Sequence, residues 1–124
     1  MASASRPTVV LVVEDDFLLR SDAMQMLEEA GFKTVEASNA DQAILILEAR
    51  PDINVMFTDI EMPGSIDGMK LAHAVRGRWP PIKIIATSGH NKISHADLPA
   101  GGKFIPKPYN FKYVADVIRD VMRS

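Results

Sequence analysis

Short runs of apolar residues recur along the chain at a spacing typical of α/β proteins. Val9–Val13 is a continuous apolar run of mainly β-branched residues, which indicates a strand buried on both faces of a parallel sheet rather than a half-exposed strand. Three later runs share this pattern, at Ile53–Thr58, Ile82–Thr87 and Lys103–Ile105. Lys33–Ala37 is more polar and fits an outer position in the sheet. The chain is therefore predicted to form five strands.

Helical periodicity separates these runs. A first helix is predicted to end before Gly31, a second runs from Asn39 to Arg50, and two more cover about Asp67–Arg78 and Asn110–Arg123. The inward stripe of the first helix is predicted to contain Leu19, Ala23, Met26, Leu27 and Ala30. The weakest helical pattern is that of His90–Ala100. Strands alternating with helices predict right-handed crossovers and a doubly wound parallel sheet with helices on both faces.

Composition limits the classes of protein that fit. A chain of 124 residues with 47% hydrophobic content suits one core, so we expect a leader over residues 1–7 and one domain over residues 8–124. The net charge of -2 gives no basic surplus for nucleic acid. The chain has no cysteine for a disulfide or thiolate site, no apolar run of membrane-spanning length and no export signal. We expect a cytoplasmic protein without nucleic acid or membrane partners.

Polar side chains collect at the predicted carboxyl ends of the strands, where ligands of such sheets bind. Strand one is followed by Glu14, Asp15 and Asp16, and strand three by Asp59 and Glu61. The other strand ends supply Thr87, Ser88 and Lys107. Two carboxylates 4 Å apart repel by about 4 kcal/mol at an effective dielectric constant near 20, so the cluster needs a cation or shifted pKa values. An all-oxygen ligand set favours Mg²⁺.

Four segments in order at these strand ends have the sequences V-V-E-D-D, F-T-D-I-E-M-P-G, A-T-S-G and K-P-Y. Each segment is weakly specific alone. Together, and in this structural context, they resemble the receiver domain of two-component response regulators, and the likeness extends from about Val9 to Met122. The resemblance implies a flavodoxin-like strand order 2-1-3-4-5 and function in a phosphorelay.

The same resemblance implies a role for each of the polar residues. Asp59 would accept a phosphoryl group from a phosphohistidine. Asp15 and Asp59 would bind Mg²⁺ directly, Glu14 would bind it through a water molecule, and the backbone carbonyl of Glu61 would complete the protein ligands. Lys107 would neutralise charge on the transferred group, since phosphoryl transfer depends mainly on alignment and charge neutralisation.

Two further residues match the switch of the family. The Thr87 hydroxyl would bond a phosphoryl oxygen and draw its loop inward, and the Phe104 ring would respond through packing alone because it has no hydroxyl. The Lys107-Pro108 peptide is often cis in such domains. The implied partners are a sensor histidine kinase or histidine phosphotransfer protein, and a downstream protein bound by the face of the fourth helix, fifth strand and fifth helix.

The chain starts at Met1 and ends one helix after Lys107, which favours a stand-alone response regulator over a piece of a hybrid kinase or longer regulator. It departs from the family pattern by one extra residue between Met62-Pro63 and Asp67-Gly68. We expect this residue to change the loop and to affect the position of the Glu61 carbonyl.

Other interpretations remain open from the residues alone. The acidic triplet could be solvated charge at a helix N-terminus, Thr87 could bond a backbone group, and His90 and His95 are expected to be exposed. A flavodoxin-like cofactor protein would need a Gly- and Ser-rich phosphate loop after strand one, where the acidic run stands. An aspartyl-phosphate phosphohydrolase would need a second aspartate at Glu61, and an adaptor that is never phosphorylated would not need the retained polar set.

Overall fold

The computed structural model of the protein describes residues 6–62, 67–89 and 93–123. Within these ranges the chain forms a five-stranded parallel sheet of order β2-β1-β3-β4-β5, which confirms the predicted architecture. The strands are β1 Val9–Val13, β2 Lys33–Ala37, β3 Val55–Asp59, β4 Lys83–Ser88 and β5 Lys103–Pro106. Of the predicted leader over residues 1–7, residues 1–5 lie outside the described ranges.

Four α-helices connect or follow these strands in the described residues. They are α1 Phe17–Glu29, α2 Ala40–Ala49, α3 Gly68–Arg78 and α4 Phe111–Met122. Each follows an N-cap side chain that accepts a hydrogen bond from a backbone N–H of the first turn, and these caps are Asp16, Asn39, Asp67 and Asn110. Beyond the end of α1, Gly31 has a φ of 101°, a conformation that favours glycine. No helix in the described part of the chain combines the length and apolar content needed to cross a bilayer.

The core lies in two layers, one on each face of the sheet. Side chains of β1 alternate between the layers, as successive residues of a strand must. Val9, Leu11 and Val13 pack with the buried residues of α2 and α3, whereas Val10 and Val12 pack with those of α1 and α4. Both faces of β1 are therefore covered, which explains its uninterrupted apolar sequence.

The predicted inward stripe of α1 is partly wrong. Ala23 and Leu27 are buried, but Leu19 is 49% exposed and Met26 is 42% exposed. Ala23 and Leu27 lie one above the other on the helix and form the line of contact with the sheet, from which Met26 is rotated by about 100° relative to Leu27. Leu19 lies beside Pro108, in the turn that follows β5. Apolar spacing alone overestimated the width of the buried face.

The weak helical prediction for His90–Ala100 is also wrong for the part that the structure describes. Residues 90–92 lie outside the described ranges, and the rest forms a single turn of 3-10 helix at His95–Asp97. Ser94 begins this turn with a capping box, and Leu98, immediately before Pro99, is already extended. A residue before proline disfavours the helical conformation, so little room remains for an α-helix.

Side chains from α3 hold this connection between β4 and β5. The Nε2 atom of His73 lies 3.0 Å from the carbonyl oxygen of Asp97. Arg76 donates from Nε to the carbonyl of Ala100 at 3.0 Å. At the far end, the backbone N–H of Phe104 donates to His95 Nε2 at 3.2 Å. Polar contacts thus hold in place a segment whose described part contains only a single turn of 3-10 helix.

Candidate functional site

The carboxyl ends of β1, β3, β4 and β5 meet at one edge of the sheet and bring the predicted polar residues together. Asp59 is the last residue of β3 and only 6% of its surface is exposed. Thr87 of β4 is its register partner, and Lys107 directly follows β5. Residues that are far apart in the sequence therefore surround one buried carboxylate.

Both carboxylate oxygens of Asp59 accept hydrogen bonds. Lys107 Nζ donates to Oδ2 at 3.0 Å, and the backbone N–H of Glu61 donates to Oδ1 at 3.2 Å. Burial opposes the charge of Lys107, but the hydrogen bond and charge of Asp59, together with the charges of Glu14 and Glu61, raise the pKa of the ammonium above its ordinary value. The Lys107-Pro108 peptide bond is cis.

Gly68, the first residue of α3, lies against the backbone of the same strand end. Its N–H donates to the carbonyl of Ile60 at 2.9 Å, and a Cβ built on it would lie 2.0 Å from the carbonyl oxygen of Asp59. Only a residue without a side chain allows this approach. The Asp67-Gly68 motif in the sequence gives no indication of this packing role of Gly68.

Glu14, Asp15 and Asp59 form a compact group of carboxylates. One oxygen from each lies within 4.8 Å of the others. Glu14 is 8% exposed, and its burial raises its pKa to about 7, with the charge of Asp59 adding to the effect and a hydrogen bond from the Asp16 N–H opposing it. Asp16 itself caps α1, since its Oδ1 accepts from the N–H of Leu19 at 3.1 Å. The acidic triplet is thus divided between a candidate cation site, to which Glu14 and Asp15 belong, and a helix cap at Asp16.

The Thr87 side chain has an unused hydrogen-bonding group. Thr87 is 2% exposed, and its Oγ1 has no hydrogen-bond partner among the described residues. The interpretation in which this hydroxyl satisfies a backbone group is therefore wrong. By contrast, Oγ1 of the buried Thr58 donates to the carbonyl of Asp59 at 2.9 Å. A buried hydroxyl without a partner is costly and needs an explanation.

Glu61 has contacts that the sequence analysis missed. Its carboxylate accepts a short hydrogen bond from Ser88 Oγ and another from the N–H of Gly89 at 3.3 Å. These contacts join the loop after β3 to the end of β4, and no local sequence signal identifies them. The predicted effect of the extra loop residue concerns residues 63–66, which lie outside the described ranges.

Two aromatic residues support the site from neighbouring positions. Phe104 is half-buried and packs against the small cluster of Ile60, Ala86 and Leu98. The ring of Tyr109 contacts that of Phe57 edge-on, with a centroid distance of 5.8 Å. Burial, followed by the charges of Glu14 and Asp59, raises the pKa of Tyr109 to about 12. The neutral phenol therefore adds no charge to the acidic edge near neutral pH.

The assembled groups suit the chemistry of a phosphate ester. Asp59 offers a carboxylate oxygen as a nucleophile, Lys107 offers positive charge, and Thr87 offers an unused hydroxyl donor. The carboxylates of Glu14 and Asp15 supply oxygen ligands of the kind preferred by a hard divalent cation. Charge neutralisation and a positioned nucleophile are the main requirements of phosphoryl transfer.

Comparisons with known proteins agree with this geometry. The sensor kinase CckA of Brucella abortus (strain 2308) is 31% identical over 97% of this chain but only 13% of its own length, and a putative NtrX-like response regulator of Rickettsia felis is 33% identical over 82% and 22% respectively. The crystal structure of the receiver domain from the hybrid histidine kinase CckA superposes with a TM-score of 0.77 at 30% identity, covering 92% of this chain and 98% of that one. This chain thus spans a small part of those two relatives. The model of the response regulator receiver domain family matches residues 10–119, and the chain belongs to that family.

Proposed function

We propose that the chain acts in a two-component phosphorelay and that Asp59 is its phosphoacceptor. The supporting observation is the position of the buried Asp59 carboxylate, hydrogen-bonded to the Lys107 ammonium and paired in register with Thr87, whose hydroxyl has no partner in the described residues. In this proposal residues 8–124 form a stand-alone response regulator of the cytoplasm. The domain assists its own phosphorylation and dephosphorylation and does not convert a separate substrate.

The proposed reaction transfers a phosphoryl group from a phosphohistidine of the partner. A carboxylate oxygen of Asp59 attacks the phosphorus while the P–N bond breaks. The electron pair of that bond remains on the ring nitrogen, and imidazole leaves in its neutral form when the other nitrogen carries a proton. Because the transition state is loose, Lys107 contributes by alignment and by its positive charge, which lies 3.0 Å from Asp59 Oδ2.

The donor set fits Mg²⁺, and the proposed reaction depends on it. Asp15 and Asp59 would hold the ion directly, Glu14 through a water molecule, and Glu61 through its backbone carbonyl. A bound Mg²⁺ supplies positive charge to the transferring phosphoryl oxygens. The raised pKa of the buried Glu14 supports the assignment, because a nearby cation would relieve the unfavourable crowding of negative charge.

Thr87 is proposed to convert phosphorylation into a change of shape. Its hydroxyl would donate to a phosphoryl oxygen on Asp59 and so gain the partner that it lacks in the described residues. The resulting movement of the β4 end would change the packing of Phe104, which shares a cluster with Ala86 of β4. Phe104 would respond by packing, since its side chain has no polar atom.

The phosphodonor is proposed to be a sensor histidine kinase or a histidine phosphotransfer protein, docked between α1 and the turn after β5. An apolar groove of about 450 Å³ lies there, lined by Leu19, Asp22, Lys107, Pro108, Tyr109 and Phe111. Phe17 and Leu18 are also exposed, at 64% and 71%. A donor helix in this groove would carry its phosphohistidine next to Lys107, which contacts Asp59.

The downstream partner is proposed to be a protein that binds the face containing β5 and α4. The sequence predicts a further helix on this face, between β4 and β5. In the described residues that connection contains the 3-10 helix His95–Asp97 instead. The target would therefore contact a surface with a short turn and exposed polar groups instead of a helix ridge.

Phosphorylation by a small donor tests the central proposal. Phosphoramidate with Mg²⁺ should add one phosphoryl group to the protein, measured by intact mass, and Asp59→Asn should not be modified. Asp16→Asn is the matched control, because asparagine can also cap α1 while one acidic charge is removed. Chelation of Mg²⁺ should strongly slow the reaction. Equal modification of the Asp59→Asn protein would overturn the assignment.

A further inference from the structure

Glu61 is connected both to Asp59 and to the end of β4. Its backbone N–H donates to Asp59 Oδ1 at 3.2 Å. Its carboxylate accepts the short hydrogen bond from Ser88 Oγ and the 3.3 Å bond from the Gly89 N–H. One residue therefore ties the strand end of β3 to the two residues that directly follow Thr87.

These bonds constrain the segment that has to respond when Asp59 changes. Thr87 is buried without a hydrogen-bond partner in the described residues, while its neighbours Ser88 and Gly89 are held by the negative charge of Glu61. Hydrogen bonds to an ionised carboxylate are stronger than those between neutral groups. The end of β4 is thus fastened by Glu61 in a position that leaves the Thr87 hydroxyl unused.

A phosphoryl group on Asp59 would weaken this arrangement. It would bring additional negative charge close to Glu61, whose N–H is in contact with the Asp59 carboxylate. Like charges in a partly buried site repel. Movement of Thr87 toward a phosphoryl oxygen would also shift the adjoining Ser88 and Gly89, and so stretch their bonds to Glu61.

We propose that Glu61 is a positioning residue that latches Ser88 and Gly89 in the resting protein and releases them when Asp59 is phosphorylated. The inference rests on the proposed phosphorylation of Asp59. It adds that the change of conformation after phosphorylation costs the free energy of breaking the bonds of Ser88 and Gly89 to Glu61. Because the latch has to break before the active conformation can form, it disfavours that conformation and weakens the binding of a phosphoryl mimic at Asp59. The Glu61 side chain acts here through Ser88 and Gly89, separately from the contact of the Glu61 backbone N–H with Asp59.

Beryllofluoride with Mg²⁺, a stable mimic of a phosphoryl group on a carboxylate, measures this cost. Its affinity would be determined by calorimetry for the wild type, Glu61→Ala, Ser88→Ala and the double variant. Glu61→Ala should tighten binding by about tenfold and Ser88→Ala by less, because Ser88→Ala leaves the bond from the Gly89 N–H to Glu61. The double variant should bind no more tightly than Glu61→Ala, because the bond from Ser88 is already lost in that variant. Glu48→Ala is the charge control, since Glu48 pairs with Arg78 on the surface between α2 and α3.

Ser88→Ala separates the latch from simple charge repulsion, because it leaves the Glu61 carboxylate in place. If the charge of Glu61 acted alone, Glu61→Ala would tighten binding and Ser88→Ala would not. That result, or additive effects in the double variant, would overturn the inference. A second measurement follows the Gly89 amide by NMR without beryllofluoride. In Glu61→Ala its resonance should move toward the position that it has in the beryllofluoride-bound wild type, and an unmoved resonance would contradict the latch.

The same experiment distinguishes failure of the latch from failure of the proposed function. A wild type that binds beryllofluoride, with additive or absent effects of the substitutions, removes only the role of Glu61. A wild type that neither binds beryllofluoride nor is phosphorylated at Asp59 removes the proposed function and the latch together.

Discussion

The two sides of Asp59 are built in opposite ways. On the acidic side, formed by Glu14 and Asp15 at the end of β1, carboxylates crowd within 4.8 Å of one another, and the pKa of the buried Glu14 is raised to about 7. The donor side is formed by Thr87 and Lys107 at the ends of β4 and β5. The Lys107 ammonium donates a hydrogen bond to Asp59, and the Thr87 hydroxyl has no partner in the described residues.

This difference explains why one ligand cannot satisfy the site. The acidic side holds excess negative charge, which a cation relieves and an anion worsens. The donor side offers groups that an oxyanion would satisfy and a cation would not. A divalent cation and a phosphoryl group bound together meet both requirements, and each favours binding of the other. Substitutions on each side should therefore have effects of different kinds.

The largest expected effect is on the acidic side. Asp15→Asn removes a proposed metal ligand, and the rate of phosphorylation by phosphoramidate at fixed Mg²⁺ should fall by about 10³-fold. Intact mass against time gives this rate, and a Mg²⁺ titration should show that high concentrations recover part of it. A rate within a few-fold of the Asp16→Asn control would remove Asp15 from the metal site.

On the donor side, Lys107→Ala should reduce the phosphorylation rate by about 10²-fold, since it removes a charge that contacts Asp59. The dependence on Mg²⁺ concentration should stay close to that of the wild type, because Lys107 is not a metal ligand. Lys107→Arg is the matched variant that retains the charge and should recover part of the rate. A strongly changed Mg²⁺ dependence would contradict the assignment of Lys107 to the donor side.

The raised pKa of Glu14 predicts how the stability of the metal-free protein depends on pH. The pKa of this carboxyl is about 7 in the folded protein, against 4.5 when unperturbed, so the folded state binds more protons between these values. Stability should therefore fall as pH rises from 4.5 toward 7, by on the order of 2 kcal/mol from this group. Urea unfolding with a chelator would measure it. Glu14→Gln should remove that part of the slope, and an unchanged slope would contradict the assignment.

The smallest effect distinguishes two buried threonines. Thr87→Val removes a hydroxyl without a partner in the described residues and should stabilise the resting protein by about 1 kcal/mol while weakening its binding of beryllofluoride. Thr58→Val removes a hydroxyl that is bonded to the Asp59 carbonyl, and should destabilise by about 1 kcal/mol. Urea unfolding of both variants checks the opposite signs. Destabilisation of equal size would mean that Thr87 has a resting partner.

Much of this architecture could be predicted because burial leaves a local record in the sequence. The run in β1 is apolar throughout and that in β3 is apolar up to Phe57, since both faces of each strand are covered, and parallel strands bring their carboxyl ends to one edge. Asp59, Thr87 and Lys107 were placed together by that rule. The N-caps Asn39 and Asp67 also stand where short-range hydrogen bonding requires them.

The errors arose where the deciding contact comes from elsewhere in the fold. Leu19 follows the apolar spacing of α1 but is exposed, because its burial depends on the packing of the turn after β5, beside which it lies. The bond between Glu61 and Ser88 joins the loop after β3 to the last residue of β4. The close approach of Gly68 to Asp59 likewise depends on the docking of α3. In the described residues the connection between β4 and β5 has no α-helix, and part of the reason is local, because Pro99 disfavours the helical conformation at Leu98.

The bond between Phe104 and His95 has a consequence for association between molecules. In the described residues β5 pairs only with β4, so its other side is an open sheet edge, and unpaired N–H groups on such an edge can recruit a strand from another chain. His95 Nε2 accepts the hydrogen bond from the Phe104 N–H, which it can do only while that nitrogen carries no proton. The connection between β4 and β5, whose 3-10 helix is bonded to His73 of α3, therefore protects one N–H of this edge from pairing with a strand of another molecule.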